Sequence, residues 1–285
     1  MDLWSFRYYL KTWERIGKKI QIIKQTESFC YINANKNPGA IVGKFAADIA
    51  INKAAKNGVG LASIKNMITW LRPGTIAKYI ADKDYISIVI NNSGNPLVAP
   101  PGGYEPVIGT NPIGIGIPTT NNPIVTDMST SNKAWGEVRI AKESGKKLTS
   151  KSFFDSEGKY TTDANNAFSA VPFGGYKGFA LGILIEILTG SFLDMPMSDY
   201  QKTKDNRIST RNGIIIVLNP KCFTDLEKFK KANSNLIKKI KNSKKIKGIN
   251  NIIIPGERAL SYRNKIIQNG FIRINKKIWQ EIINY

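Results

Sequence analysis

The 285-residue sequence predicts a mixed α/β protein in which strands and helices do not follow a regular βαβ repeat. Short runs rich in β-branched residues, such as 85–91 and 213–220, alternate with longer segments like 38–56 that have helical spacing. The intervals between these segments are irregular, and no internal repeat is evident. A hydrophobic content of 42% with 22% charged residues is ordinary for a globular protein with a sizeable core.

The first half of the chain is predicted to alternate helices with strands. In order, these are a charged amphipathic helix over 3–24, a strand over 29–33, a helix over 38–56, a strand over 59–65, a helix near 74–82 and a strand over 85–91. The helix over 38–56 has a proline near its start, where no N–H partner is lost, and small residues that permit close packing.

The second half opens with a Pro/Gly-rich connection over 93–112, which is too long for a passive linker in a compact domain. After it we predict buried strands over 113–118 and 123–129, a helix over 132–142, a polar turn-rich stretch over 145–171, a glycine turn with an apolar helix over 172–190, and strands over 213–220, 249–255 and 270–275 with helices between and after them.

A formal net charge of +21 has two interpretations. It could serve a polyanion such as nucleic acid or an acidic membrane, or it could be a solvated lysine-rich surface. The densest segment, 228–247, favours the second, because apolar residues recur on one side of it at helical spacing and no aromatic residues interleave its lysines. We therefore expect no nucleic-acid partner.

Neither a membrane nor a secreted location is predicted. The longest strongly apolar run, 179–188, falls well short of the ~20 residues that a membrane span needs, and the first residues lack a continuous apolar stretch. Cys30 and Cys222 lie far apart, fit no metal spacing and are expected to be reduced core thiols in the cytoplasm.

The sequence contains no histidine, which removes the commonest proton donor near neutral pH and the commonest metal ligand. A zinc site of the usual kind is not expected, because neither cysteine has a near partner. Any catalytic mechanism must therefore work without imidazole, and no metal is predicted.

The stretch PFGGYKG (172–178) leaves the backbone nearly bare and places Lys177 at the start of an apolar helix interrupted by one charge, Glu186. Bare N–H groups at a helix N-terminus favour an anion, and a lysine there adds a point charge. The alternative is a plain helix-entry turn with a solvated lysine. The stretch is not a Walker motif, and GIGIPT (114–119) fails the dinucleotide-binding pattern, because Thr119 replaces its third glycine.

In DMSTSNKAWG (127–136), one acid leads a run of hydroxyl side chains. Ser129, Thr130 or Ser131 could cap a helix that starts there. Alternatively, the hydroxyls and the backbone could contact the ribose or phosphate of a cofactor. Spacing alone does not decide between the two interpretations.

Five motifs in a constant order make the chain resemble the malate/L-lactate dehydrogenase family, which includes ureidoglycolate dehydrogenase, sulfolactate dehydrogenase and cyclic ketimine reductases. They are GTNPIGIGIP (109–118), TDMSTSNKAWGEV (126–138), TTDANNAF (161–168), PFGGYKGFALGILIEILTG (172–190) and PGE (255–257). The resemblance covers roughly residues 38–280. DMSTSNKAWG is most similar to the ureidoglycolate branch.

The resemblance implies a non-Rossmann fold that binds NAD or NADP on a mixed, largely antiparallel sheet with flanking helices. It implies three parts: 1–92 as a truncated helical and strand part of the substrate domain, 93–220 as the central cofactor-binding domain, and 221–285 as helices and strands that return to the first part. Members are usually homodimers with the active site near the subunit contact. The motif positions imply cofactor contacts at Gly94, Asp127, Met128, Ser129, Lys177 and Asn219.

The chain departs from the family pattern at two places. Relatives carry a catalytic histidine in the segment N-S-x-H-F-G-x-x-G, and aligning Asn66 and Gly74 places Thr69 at that position. Threonine is no acid near pH 7, and loss of a positioned general acid costs about 10²–10⁴ in rate. Relatives also begin earlier, with a Ser-His-Gly segment before an arginine. Arg7 could retain that arginine as an anchor for a substrate carboxylate.

Lys65, Arg72 and Tyr79 lie near Thr69 in sequence and are alternative proton donors. A substrate that is already protonated on nitrogen, such as a cyclic imine, needs no new acid. The sequence thus predicts an NAD(P)-dependent oxidoreductase of a small 2-oxo acid, 2-hydroxy acid or cyclic imine. The alternative is a degenerate, non-catalytic member that still binds a dinucleotide.

Overall fold

The computed structural model describes residues 19–70, 72–198, 210–274, 279–280 and 283. In that part of the chain, a seven-stranded mixed sheet carries helices on both faces, and a two-stranded sheet lies beside it. The prediction of a mixed α/β fold with a largely antiparallel sheet is confirmed.

The elements follow the chain in this order: β1 (Gln21–Gln25), β2 (Phe29–Asn33), α1 (Gly39–Asn57), β3 (Val59–Met67), α2 (Pro73–Ala81), β4 (Ile86–Asn91), β5 (Ile113–Ile117), β6 (Ile124–Met128), α3 (Gly136–Ser144), β7 (Phe153–Phe154), β8 (Ser169–Ala170), α4 (Tyr176–Thr189), β9 (Arg211–Leu218), α5 (Leu226–Lys241) and α6 (Glu257–Asn269). Short 3₁₀ turns occupy Ala164–Asn166, Ser191–Leu193 and Pro220–Cys222.

The strand order of the large sheet is β1-β2-β3-β9-β4-β5-β6. Only β2 and β3 pair in parallel, and α1 is the crossover that joins them. β7 and β8 form the separate two-stranded sheet.

Helix α1 packs closely on β3 because the residues at the contact are small. Its buried positions are mostly alanine and glycine, and a Cβ built on Gly60 of β3 would come within 1.9 Å of the carbonyl oxygen of Ala50. Gly58 ends the helix in the left-handed conformation (φ 78°), and its N–H donates to the carbonyl of Ala54. The small residues therefore set the distance between helix and sheet.

Strand β9 lies between β3 and β4 and buries both of its faces. Ile215 and Val217 join the core beneath α1 and α2, whereas Ile214 and Ile216 face the core beneath α4. This position explains the unbroken aliphatic run in its sequence, since a strand covered on both sides has no polar face.

A third cluster of buried residues lies outside the sheet and is centred on Phe153. Val98 and Ile108 from the long connection, Val138 of α3 and Ala170 of β8 belong to it. The connection over 93–112 is therefore packed structure and not a passive linker, as its length predicts.

The segment Tyr176–Leu193 is long and apolar enough to cross a membrane, although a core helix of a soluble protein passes the same test. Here the helix packs on the sheet through Leu181 and Ile185. Its one carboxylate, Glu186, is 3% exposed and accepts four hydrogen bonds at 2.6–3.3 Å, from Gly109 N, Asn111 Nδ2, Ser198 N and Ser198 Oγ. These contacts attach one side of the helix to the sheet and to the segment over 109–111.

Three secondary-structure predictions are wrong. Residues 21–24, predicted to end a helix over 3–24, belong to the exposed edge strand β1, and the part of that predicted helix up to residue 18 lies outside the described residues. Residues 249–255 and 270–274 form no strand. The prediction that 123–129 is a buried strand is half right, because β6 exists but lies half-exposed at the edge of the sheet.

The large sheet contains strands from both sides of the predicted boundary between residues 92 and 93, with β9 inserted beside β4. That boundary therefore does not coincide with a break in the sheet. The division of the chain into three parts stays a prediction.

Candidate active site

The run of hydroxyl residues after β6 fixes the end of that strand. Thr130 donates from both its N–H and its Oγ1 to the carbonyl of Thr110, at 2.9 and 3.1 Å. Ser129 Oγ donates to the carbonyl of Ser131 at 3.1 Å. Ser131 Oγ lies 2.9 Å from Ser129 Oγ and 2.7 Å from the carbonyl oxygen of Lys133, and either of these can accept its single proton. Helix α3 begins only at Gly136 and has no side-chain cap, so the helix-cap interpretation of these hydroxyls is wrong.

The glycine turn before α4 exposes backbone donors. Gly174 and Gly175 both have positive φ, 55° and 62°, which a side chain would strain. Among the described residues, the N–H groups of Gly174 and Tyr176 have no hydrogen-bond acceptor, and Gly175 caps the helix without a side-chain bond. The Lys177 side chain is exposed beside them, with no acidic partner in the described part of the chain. This combination favours the anion-binding interpretation of the turn.

The glycine turn and the hydroxyl run lie against each other. Phe173 N donates to the carbonyl of Thr130 at 3.0 Å, and Asn132 N donates to that of Val171 at 2.7 Å. A Cβ built on Gly178 would lie 2.7 Å from the carbonyl oxygen of Thr130, so glycine is needed for this approach. The structure thus brings Ser129 and Lys177, two predicted cofactor contacts, to neighbouring segments at the end of β6.

Asp127 is held by an arginine from the segment that precedes α2. Arg72 Nε lies 3.0 Å from Asp127 Oδ2, and the two side chains are 58% and 20% exposed. The absence of a side chain at Gly74 permits this contact, because a Cβ there would come within 2.5 Å of Asp127 Cβ. The ion pair links the Thr69 segment to the predicted cofactor motif. Met128 follows Asp127 and is exposed at the end of the same strand.

Thr69 is half-buried in the turn after β3. The turn is pressed onto the start of α1, since a Cβ on Gly39 would lie 2.7 Å from the carbonyl oxygen of Thr69. The next residue, Trp70, is buried between Gly43 and Gly213, where an added Cβ would come within 2.5 and 2.2 Å of its ring. The position of Thr69 is therefore fixed by backbone and ring packing.

The three alternative proton donors differ in their surroundings. Lys65 Nζ lies 5.2 Å from the ring centroid of Tyr31, and Tyr79 OH donates to Asp48 Oδ1 at 2.5 Å. Arg72 is the one of the three whose described contact is to a residue of the cofactor motifs.

Gly94 follows the end of β4 and is buried with φ 81°, a conformation that glycine adopts without strain. Its neighbour Ser93 exchanges a hydrogen bond of 2.6 Å with Thr110 Oγ1, and the Thr110 carbonyl also accepts from Thr130. Gly94 therefore lies at the same end of the sheet as the hydroxyl run.

Asn219 lies apart from the other predicted contacts. Neighbouring strands of the sheet pair Ile215 of β9 with Val89, Val89 with Gly114, and Gly114 with Asp127 of β6. Asn219 lies four residues, or about 13 Å, beyond Ile215 along β9, and β9 is three strands away from β6. Its Oδ1 accepts from Lys221 N at 3.1 Å, and its N–H donates to the carbonyl of Gly58. The structure gives it a local capping role, and its cofactor contact stays a prediction.

The PGE turn brings the C-terminal segment to β6. Val125 N donates to the carbonyl of Pro255 at 3.4 Å, and Gly256 (φ 93°) comes so close that a Cβ would lie 3.2 Å from the Val125 carbonyl oxygen. Glu257 binds Lys241 Nζ and the N–H of Ile254, and these contacts lower the pKa of its carboxyl. The sequence identifies PGE as one of the five family motifs but predicts no functional role for its residues.

Arg7, the predicted carboxylate anchor, lies outside the described residues. Arg72 was named only as a neighbour of Thr69 in sequence, and its pairing with Asp127 spans 55 positions. No local pattern signals such a contact. Among the described residues, no group of three or more acidic or cysteine side chains could hold a metal ion.

The family model for malate/L-lactate dehydrogenase matches residues 5–283 of this chain. The chain belongs to the malate/L-lactate dehydrogenase family. This confirms the resemblance drawn from the five motifs, and the match extends beyond the residues 38–280 that they cover.

Named relatives within the family are dehydrogenases. The malate/(S)-sulfolactate dehydrogenase of Methanothermus fervidus is 34% identical over 267 residues, which are 92% of this chain and 77% of the relative. The ureidoglycolate dehydrogenase (NAD(+)) of Escherichia coli K12 is 29% identical over 260 residues, 89% of this chain and 73% of that protein. The chain thus spans about three quarters of the length of these relatives.

The fold is also that of the family. The sulfolactate dehydrogenase of Methanocaldococcus jannaschii superposes with a TM-score of 0.84 at 31% identity, covering 97% of this chain and 81% of that structure. The malate dehydrogenase of Entamoeba histolytica gives a TM-score of 0.86 at 25% identity, over 92% and 79% of the two chains.

Proposed function

We propose that this chain is an NAD(P)-dependent oxidoreductase. It transfers a hydride between the nicotinamide and a small 2-oxo or 2-hydroxy acid of the malate, lactate or ureidoglycolate type, or a cyclic imine. The named relatives are dehydrogenases, which supports the reaction class. The observation that carries the proposal is the glycine turn with two unpaired N–H groups and the exposed Lys177, seated on the hydroxyl run after β6.

The residues at this turn fit a dinucleotide. The N–H groups of Gly174 and Tyr176 would donate to phosphate oxygens, and the ammonium of Lys177 would offset their charge. Ser129 and Gly94 lie on the neighbouring segments and would bound the same site. NAD or NADP bound there supplies the hydride acceptor or donor.

Arg72 is the proposed electrophilic group for the substrate. Asp127 engages its Nε at 3.0 Å and so orients the guanidinium, which leaves the other N–H groups for a carboxylate or a developing alkoxide. The Thr69 hydroxyl can donate a hydrogen bond but not act as an acid near neutral pH. Reduction of an imine that is already protonated on nitrogen would require no proton from Thr69 or Arg72.

The second candidate function is a non-catalytic, degenerate family member that binds a dinucleotide. Thr69 at the family histidine position favours it, because neither the threonine nor the arginine beside it is an ordinary general acid. The two candidates share the cofactor site and differ in turnover.

The test begins with fluorescence titration of NADH and NADPH. Lys177→Met is expected to weaken binding of either nucleotide by at least about tenfold, since it removes a charge-assisted contact to phosphate. Lys146→Met, which removes an exposed lysine on the turn after α3, serves as the matched control and should leave binding unchanged. No binding of either nucleotide to the folded wild-type protein rejects both candidates.

Turnover then separates the candidates. The protein is incubated with the better nucleotide and a panel of 2-oxo acids and cyclic imines, and nicotinamide oxidation is followed by absorbance. Oxidation above the blank with any substrate supports the enzyme. Tight nucleotide binding without oxidation across the panel supports the non-catalytic member.

The assembly we propose is a homodimer in the cytoplasm, without a nucleic-acid or membrane partner. One side of α4 exposes large apolar side chains, namely Ile183, Leu184, Ile187 and Leu188, and no charged residue of the helix beyond Lys177 is exposed. A second copy covering this side would remove a continuous apolar surface from water. The free thiols of Cys30 and Cys222 are consistent with a reducing compartment, but only Cys30 lies in the core, and the prediction of a core position is wrong for the exposed Cys222.

A further inference from the structure

A basic cavity of about 560 Å³ lies between the end of α5, the segment over 251–253 and α6. Four cationic side chains line it, Lys241 and Lys245 from the α5 side and Arg258 and Lys265 from α6. Neither the sequence motifs nor the proposed catalytic groups include any of them.

The described residues do not balance the charge in the cavity. Glu257 is the one acidic side chain of the lining, and it is already engaged by Lys241 Nζ and by the N–H of Ile254. Within the described part of the chain, Lys245, Arg258 and Lys265 have no acidic partner. Three cations therefore face one cavity without a counter-charge.

The lining also offers neutral groups for a ligand. Ser261 and Tyr262 lie three and four positions after Arg258 and four and three positions before Lys265, so the four side chains share one face of α6. The Ser261 hydroxyl can donate to an oxygen anion, and the exposed ring of Tyr262 gives a surface for stacking.

The cavity adjoins the strand that carries the predicted cofactor contacts. Its wall includes Glu257, and the preceding Gly256 contacts Val125 of β6, two residues before Asp127. A ligand that extends from the end of β6 along this edge therefore approaches the cationic wall.

We propose that this cavity binds a phosphomonoester. Such a group carries a charge of about −1.5 to −2 at neutral pH and three strong acceptor oxygens, which suits two or three unpaired cations and a hydroxyl donor. The group has two possible sources, the 2′-phosphate of NADPH or a separate phosphorylated metabolite. Binding of the NADPH 2′-phosphate rests on the proposed function, whereas binding of a separate phosphorylated metabolite does not.

The experiment compares NADPH, NADH and inorganic phosphate by isothermal titration at low ionic strength, because salt screens such contacts. The probe variant is K245Q/R258Q/K265Q. The matched control is K231Q/K238Q/K239Q, which removes the same charge from exposed positions of α5 outside the cavity lining. Circular dichroism checks that both variants are folded.

If the 2′-phosphate is the ligand, the wild type binds NADPH at least about tenfold more tightly than NADH, and the probe variant loses that preference without loss of NADH affinity. If the ligand is separate, the two nucleotides bind alike, phosphate binding saturates, and the probe variant abolishes it. In either case the control variant behaves as the wild type.

Equal affinity for both nucleotides together with no saturable phosphate binding overturns the proposal. So does any binding that the probe and control variants weaken equally. A wild type that binds neither nucleotide counts against the proposed oxidoreductase, and the phosphate titration then decides the cavity alone.

Discussion

Glu186 is a carboxylate buried in an otherwise apolar helix, and its neighbours determine what it does. Both oxygens accept two hydrogen bonds each, from the segment over 109–111 and from Ser198. The charge therefore joins α4 to two other parts of the chain. In the sequence it is only a break in an apolar run, because its four donors lie 12 to 77 positions away.

Replacing Glu186 by glutamine should lower the free energy of unfolding by about 1–3 kcal/mol, because an amide N–H₂ would face donors that then lose their acceptor. Urea denaturation at neutral pH measures the change. Glu143→Gln on the exposed side of α3 is the control and should be close to neutral. Equal stability of both variants would contradict the role assigned to Glu186.

Arg72 can be tested by separating substrate chemistry from cofactor binding. If Arg72 has the proposed electrophilic role, Arg72→Met should reduce kcat/KM by roughly 10²–10³ while NADH affinity stays unchanged. Arg72→Lys keeps the positive charge but lacks the paired N–H groups of a guanidinium, and it should recover only part of the lost kcat/KM. Lys78→Met, which breaks the ion pair between Lys78 of α2 and Asp82 just after that helix, is the control.

If Arg72 only positions Asp127, the same variants would raise the NADH dissociation constant and leave kcat unaffected. That result would remove Arg72 from the proposed electrophilic role, although the cofactor site would stand.

At the scale of elements, helix α4 depends on how closely its first turns approach the neighbouring segments. A Cβ added at Gly178 would lie 2.4 Å from the carbonyl oxygen of Phe173 and 2.7 Å from that of Thr130. A Cβ added at Gly182 would lie 2.7 Å from the terminal carbon of Ile108, which is the end of a flexible side chain that can move.

Gly178→Ala should therefore destabilise the protein by about 1–3 kcal/mol and weaken NADH binding, because the helix must move off Thr130. Gly182→Ala should destabilise the protein less than Gly178→Ala, since alanine favours a helix by up to about 1 kcal/mol over glycine. Thermal unfolding and nucleotide titration measure both effects. Gly136→Ala, with no atom within 4 Å of the new Cβ, should leave both unchanged, and a similar loss there would refute the packing argument.

The strands and helices could be predicted where local pattern and burial agree. Strand β2 lies within the predicted bounds, and α1 and α2 match to within a residue at each end. The predictions failed at the periphery. Strand β1 is exposed at every position, so its isoleucines give no strand alternation. Residues 249–255 are rich in isoleucine, but among the described residues their backbone contact with the edge strand β6 is one hydrogen bond, from Val125 N to the Pro255 carbonyl, and they form no strand.

The candidate site could be predicted only in part for a similar reason. The turn at 172–178 and the hydroxyl run carry local signals, and the structure brings them together. The Arg72–Asp127 pair and the basic cavity depend on tertiary contacts, which no spacing in the sequence encodes. The motif position predicts a cofactor contact at Asn219, yet this residue lies about four positions beyond the row of paired residues that leads to Asp127.

For the whole molecule, the exposed apolar side of α4 predicts self-association. Leu184→Glu should convert the proposed dimer to a monomer, since a carboxylate would be buried at the subunit contact without a partner. Light scattering after size exclusion gives the molar mass. Ile140→Glu on the exposed side of α3 is the control and should stay dimeric. A monomeric wild type, or a dimeric Leu184→Glu variant, would contradict the proposed contact.

The position of β9 has a consequence for biosynthesis. Strands β3 and β4 are complete by residue 91, but the strand that joins them emerges only with residues 211–218. Until then, a growing polypeptide at the ribosome holds two half-sheets with open hydrogen-bonding edges, which are prone to pair with other chains. Premature termination after β6 and before residue 211 should therefore yield an aggregating fragment and not a smaller folded protein.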